Sequence, residues 1–234
     1  MLNSRIFHKK GCKMSLYNRE ASQTRSVASE SSQIVFIKKV YQLLSASLIA
    51  ATIGAYIGTD VVKEFSFGLV ILELAALFGL MFARNKPTLA LVLLFAFTFI
   101  SGLTLGPLLN RYIGAGMGGL ITQAFLMTAV AFGGLTAFAF NTKRDFSAMG
   151  KMLFIALIIL VVASLSNLFF QSSMLSLVVS GVGALLFSAY ILYDTQMIIR
   201  GGYDSVVLAA VSLYLDILNL FVSLLNLLGF ANKE

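Results

Sequence analysis

The chain has one cysteine, one histidine, two prolines and no tryptophan among 234 residues, and only 12% of its residues are charged. Each shortage excludes something. Cys12 and His8 both lie near the N-terminus, so the rest of the chain can form no disulfide and no thiolate metal site. Without histidine there is no Ser-His-Asp triad, no Cys-His pair and no zinc site of the usual kind. Proton chemistry beyond the tail therefore falls to aspartate and glutamate. The scarcity of charge excludes an ordinary soluble domain, in which roughly 25% of residues are charged.

What the chain does have is apolar length. It is 59% hydrophobic, with a mean hydropathy of +0.91. The apolar runs are about 18–24 residues long, the length of membrane helices, whereas barrel strands would alternate over ~10 residues. We read an all-α polytopic membrane protein with seven transmembrane helices, over 40–58, 65–82, 88–109, 116–140, 152–170, 175–199 and 206–230. Short connections make consecutive spans antiparallel neighbours. Residues 36–232 form one membrane domain. Residues 1–35 form a Ser-rich tail of mixed charge, expected to be disordered up to about Ser31. The tail does not have the pattern of a signal peptide, and Met14 offers an alternative start.

Fourteen of the seventeen Lys and Arg residues fall on one side of this layout: the tail and the loops carrying Arg84 and Lys86, then Lys143, Arg144 and Lys151, then Arg200. Lys63, Arg111 and Lys233 fall on the other. The bias places the N-terminus in the cytoplasm. The net charge of +7 is thus a topology signal, not a sign of nucleic-acid binding. The expected partner of the basic tail is anionic lipid.

Against this background the acids in the spans stand out. A carboxylate at the centre of a membrane helix costs ~2.5–3.5 kcal/mol on insertion scales. Asp194 lies in span six, Asp216 in span seven and Glu73 in span two. In span seven, Ser212, Asp216, Asn219, Ser223 and Asn226 follow spacings of 4, 3, 4 and 3, so they share one helix face. A stripe of that length cannot face lipid, so span seven is either central in the bundle or lines a wet pathway. Gly183, Phe187, Tyr190 and Asp194 share a face of span six. Asp194 and Asp216 both lie roughly 9–15 Å below the cytoplasmic boundary, where antiparallel neighbours can touch. Two carboxylates in contact cannot both ionise cheaply and can share a proton.

Other residues have plainer readings. Glu73 and Arg84 are eleven residues apart, close to three turns, so they project from one face about 16 Å apart. Arg84 lies near the level of Asp194, where an ion pair could form. The GLTLGP segment at 102–107 implies a break or kink in span three. Gly114, Gly116, Gly118, Gly119, Gly133, Gly134, Gly181 and Gly183 suit close helix packing. Asp145 or Ser147 suits the N-cap of span five. Tyr41, Tyr56, Tyr112 and Tyr203 lie at span ends, as interfacial tyrosines do.

GLTLGP at 102–107, Thr136-Ala137-Phe138, DFSAMG at 145–150, YDTQMII at 193–199 and LDILNLF at 215–221 occur in an order and spacing that resemble the Bax inhibitor-1 (transmembrane Bax inhibitor motif) family, in its bacterial YccA-like branch. The resemblance covers roughly 35–230. It implies six helices around a central last helix, a location in the bacterial inner membrane, and a pH-sensitive calcium leak without a cofactor. Carried over by motif, Asp194 and Asp216 are the pH sensor and gate and the residues that would meet Ca²⁺ in transit. Arg84 is the latch. Glu73 belongs to the ion pathway, together with Ser212, Asn219 and Ser223 of the stripe. The resemblance also implies a second role, the modulation of a membrane protease through the N-terminal tail. An intramembrane aspartyl protease is a third reading, because Tyr193-Asp194 fits half of such a site. Leu213-Tyr214-Leu215 before Asp216 does not fit the other half, a GxGD motif, so we read the chain as non-enzymatic.

Overall fold

The computed structural model describes the backbone of residues 3–62, 64 and 66–232, and the side chains from Ser31 onward other than that of Arg84. Among the described residues there are seven α-helices, two 3-10 turns and no strand. The helices are α1 (Asn3–Val61), α2 (Phe67–Phe82), α3 (Pro87–Gly114), α4 (Gly118–Asn141), α5 (Gly150–Phe170), α6 (Ser173–Ile199) and α7 (Val206–Ala231). The chain divides into two units, 1–39 and 40–234. The first is helical from Asn3, where the sequence reading has disorder up to about Ser31. The second holds the membrane bundle.

Six of the helices are long and apolar enough to cross a membrane. The exception is α2, with 16 residues, or about 24 Å at 1.5 Å per residue, short of the ~30 Å hydrocarbon layer. Its α-helical phase ends at Phe82, and Arg84 sits in the 3-10 turn that follows, Ala83–Asn85. Arg84 thus lies past the end of the α-helix, where the 3-10 turn shifts its phase relative to Glu73 by a few tens of degrees. The Arg84 side chain, expected as the latch, lies outside the described residues.

The last helix is the most enclosed. No residue of α7 before Ala231 is exposed. Its apolar window is 56% buried, against 11% in α4 and in α5. A helix apolar on most faces and enclosed on all of them is a core helix. It packs directly against α6, α4 and α3, while α2 packs mainly on α3 and α5 mainly on α6. Sequence neighbours are thus not always packing neighbours: α4 turns to α6 and α7 rather than to α5.

In the second unit, α1 buries Val40, Leu44, Ser47, Ala51, Gly54 and Gly58 on one face, at spacings of 4, 3, 4, 3 and 4. Gly54 and Gly58 meet the α3 backbone at Phe99 and Leu103, and Gly102 and Gly106 of α3 meet the α1 backbone at Ala51 and Gly58. A Cβ at any of the four would run into main-chain atoms. These two GxxxG pairs let the helices touch backbone to backbone, the main source of helix attraction where water supplies none. The GLTLGP segment therefore makes a seam. Its helix does not break, and α3 continues through Pro107 to Gly114. Of the glycines expected to bring helices together, Gly183 does so, lying against Ser223 of α7. Gly133, Gly134 and Gly181 face open space, as do Gly114, Gly116, Gly118 and Gly119.

Gly106→Ala should therefore lower stability by about 1–3 kcal/mol through overpacking, while Gly133→Ala should change it by less than ~0.5 kcal/mol. Thermal unfolding of the two variants in detergent checks the contrast; equal melting temperatures would remove the seam.

Candidate functional site

Asp194 sits near the C-terminal end of α6 and Asp216 in the first half of α7, so the antiparallel pair brings them to one level. Each is 5% exposed. Their carboxyls are neighbours, close enough for each to act on the other's charge. Among the described residues Asp216 Oδ2 finds no hydrogen-bond donor. The expected contact is present, and among the described residues no cation is paired with it.

A residue that sequence reasoning assigned to the membrane interface completes the pair. Tyr203, in the α6–α7 connection, places its hydroxyl beside the Asp194 carboxyl and beside Ser212, which lies one turn before Asp216. Burial, and then the facing Asp194 carboxyl, push the Tyr203 phenol above its ordinary value, so it stays a donor. No periodicity argument could find it, because it belongs to no helix. Tyr112 is likewise not interfacial: it is 8% exposed and ties α3 to α7, donating to the Leu225 carbonyl at 3.1 Å and to Asn226 Oδ1 at 3.3 Å.

The five-residue stripe of α7 opens onto one space. Ser212, Asp216, Asn219, Ser223 and Asn226, with Asp194 and Tyr190 of α6, line a cavity of about 560 Å³ between α5, α6 and α7. The Asn219 side-chain amide donates to its own helix, to the Leu215 carbonyl at 2.8 Å. Ser164, Val179, Ser180, Val222 and Asn226 belong also to a second cavity of about 820 Å³, which reaches Arg111, Gln171 and Ser173 at the opposite ends of the helices. The two spaces adjoin through these shared residues, and the acid pair lines the smaller one.

Beyond the pair the bundle is tied shut by the α4–α5 loop. Gln196 is 3% exposed; its carbonyl accepts from the Phe146 amide at 3.0 Å and its NH₂ donates to the Arg144 carbonyl at 2.8 Å. Arg200 also donates to the Arg144 carbonyl, at 3.1 Å, and pairs with Asp145 at 2.7 Å. Asp145 does not cap α5, whose N-cap, Met149, makes no side-chain bond. It accepts instead from the Ser147 amide at 2.9 Å. Hydrogen bonds from Ser147, followed by the Arg200 charge, hold the Asp145 carboxyl below its ordinary value. A lowered acid contributes stability above the unfolded carboxylate value and loses it as pH falls through the folded one.

Glu73 is not part of this assembly. Its Oε2 lies 3.0 Å from the Thr104 hydroxyl of α3, which is also 2.8 Å from the Ser101 carbonyl. The Ser101 hydroxyl bonds to the hydroxyl of Tyr214 on α7. Tyr214 is fully buried and packs edge-on against Phe97, with ring centroids 5.8 Å apart. Tyr214 and Asp216 are two positions apart, about 200° around a helix, so Glu73 serves the other side of α7 and lines neither cavity. Among the described residues no three His, Cys, Asp or Glu side chains converge, so the site offers two carboxyls with neighbouring hydroxyl and amide groups.

Gln196→Ala leaves a loop amide and a loop carbonyl without partners and should lower stability by about 1–3 kcal/mol, measured by thermal unfolding. In wild type, amide exchange over 142–147 should rise on acidification below the usual carboxylate range. In Asp145→Asn it should be raised already and insensitive to that change. A flat wild-type profile would dismiss the ion-pair clamp.

Comparison with known proteins gives the chain its relatives. The sequence profile of the family described as "Inhibitor of apoptosis-promoting Bax1" matches residues 33–233. An uncharacterised protein of Campylobacter jejuni is 53% identical over 231 residues, covering 94% of this chain and 100% of its own. A protein of Escherichia coli named "Modulator of FtsH protease YccA" is 39% identical over 202 residues, covering 85% and 91%. A "Golgi anti-apoptotic protein" of vaccinia virus is 40% identical over 221 residues, covering 89% and 92%.

Proposed function

The chain belongs to the Bax inhibitor-1 family of multi-pass membrane proteins, and we propose that it is a non-enzymatic cation leak of the bacterial inner membrane, gated by the proton shared between Asp194 and Asp216. The observation that carries this reading is the pair itself: two buried, mutually interacting carboxyls lining a cavity shared with Ser212, Asn219 and Ser223. Like charges at that distance cannot both persist away from water, so the pair exchanges protons as a unit. The groups facing it are Tyr190 of α6 and the Tyr203 and Ser212 hydroxyls. Every change in its protonation alters the force between α6 and α7 where Gln196 and Arg200 hold the loop. Ca²⁺ is the substrate favoured by an all-oxygen lining. Arg84 would act as the latch, and Glu73, on the far side of α7, would tie α2 to α3. The Lys and Arg distribution supports a cytoplasmic N-terminus.

Ca²⁺ flux into liposomes should depend on pH for wild type and lose that dependence in Asp194→Asn and Asp216→Asn. Unchanged flux and unchanged pH response in both variants would sink the reading.

A second reading rests on the Escherichia coli relative, named as a modulator of FtsH protease. We propose that this chain also modulates a membrane protease, through its charged N-terminal segment. Removing residues 1–30 should abolish the effect on degradation of a reporter substrate while leaving Ca²⁺ flux intact. Modulation that survives the deletion would place the contact elsewhere.

A further inference from the structure

The cavity beside α7 has a chemistry that passage of a metal ion does not use. Asp194 and Asp216 line it, each 5% exposed, and among the described residues Asp216 Oδ2 has no hydrogen-bond donor. Next to them on α6, Phe187 and Tyr190 stack with centroids 6.3 Å apart and planes 29° apart, and both line the same space. Much of the remaining wall is hydrocarbon, supplied by Leu157, Leu160, Val161 and Leu165 of α5 and Leu215 and Val222 of α7. The volume of about 560 Å³ falls within the ~300–1,000 Å³ of small-molecule sites, which are mostly apolar with a few placed polar groups.

These features select a ligand class. A hydrated metal ion gains nothing from an apolar wall. A neutral amphiphile gains nothing from two buried carboxyls, and an anion is repelled by them. We propose that this cavity binds a lipophilic organic amine in its protonated form, with the ammonium on the Asp194–Asp216 pair, its attached methylenes over the Phe187 and Tyr190 rings, and its hydrocarbon along α5 and α7. One proton held between two carboxyls leaves a single negative charge, which a monocation matches. Aromatic faces favour the charged end further. The site shares the acid pair with the leak but does not require that any ion be conducted.

The probe is 4-phenylbutylamine, with 4-phenylbutanol as its uncharged counterpart. Binding to the full-length protein in phosphatidylcholine nanodiscs is followed by saturation-transfer NMR, with empty discs subtracted. The amine should bind about tenfold more tightly than the alcohol, the scale of a charge-assisted hydrogen bond. That preference should vanish in Asp216→Asn and Asp194→Asn, whose melting temperatures report whether they fold. Tyr190→Leu should weaken the amine several-fold while Tyr190→Phe keeps it, a test that does not alter the acids. Equal binding of amine and alcohol to wild type, or a preference that survives in both folded Asn variants, overturns the proposal. Ca²⁺ flux on the same protein separates the two ideas. Flux without amine preference removes only the amine site. Amine preference without flux removes only the leak.

Discussion

A pair of carboxyls can persist in an apolar layer only where both are turned away from lipid, and the rest of this structure follows from meeting that condition between α6 and α7. Each acid costs ~2.5–3.5 kcal/mol at a membrane centre, too much to leave against acyl chains. The other helices remove the exposure. α6, α4 and α3 lie directly on α7, α3 is itself held by the glycine seam to α1, and the Tyr112 and Tyr214 hydroxyls bind α3 to α7 at two levels. With lipid excluded, the acids need only each other, a tyrosine and a serine.

Because α7 is enclosed all round, its two sides carry separate polar groups. One side gathers Asp216, Ser212, Asn219 and Ser223 around a cavity. The other sets Tyr214 against Ser101, which connects through Thr104 to Glu73 of α2. The cavity side is asymmetric along the helix axis as well. Toward one end it runs on past Ser164 and Asn226 to Arg111. Toward the other, beyond the acids, Gln196 and Arg200 hold the 144–146 backbone with hydrogen bonds. The buried acid pair thus lies between this cavity and the loop that Gln196 and Arg200 hold.

Much of this was legible beforehand, and the particular residues show why. Helical phase is local, so spacings of 4 and 3 put Ser212 to Asn226 on one face without knowledge of any neighbour. The desolvation cost of charge is local too, so Asp194 and Asp216 declared themselves against apolar runs. Phase arguments weaken where a helix stops being α-helical, as beyond Phe82 at the end of α2. They were silent on Tyr203, which lies in a connection. Residue type also misled: Gly133 and Gly134 pack nothing, whereas Gly54 and Gly58 carry the seam.

The sequence by itself determined the membrane class, the approximate spans, the polar face of α7 and the common depth of the two aspartates, because hydropathy and helical period are properties of short segments. Only the tertiary structure decided which helix lies on which. That packing put Glu73 on the far side of α7, made 102–107 a seam rather than a break, brought Tyr203 to Asp194 and fastened the 144–146 loop to Gln196. Each of these is a contact between segments distant in sequence or outside any helix, and such contacts follow from the mutual packing of surfaces, which no single segment encodes.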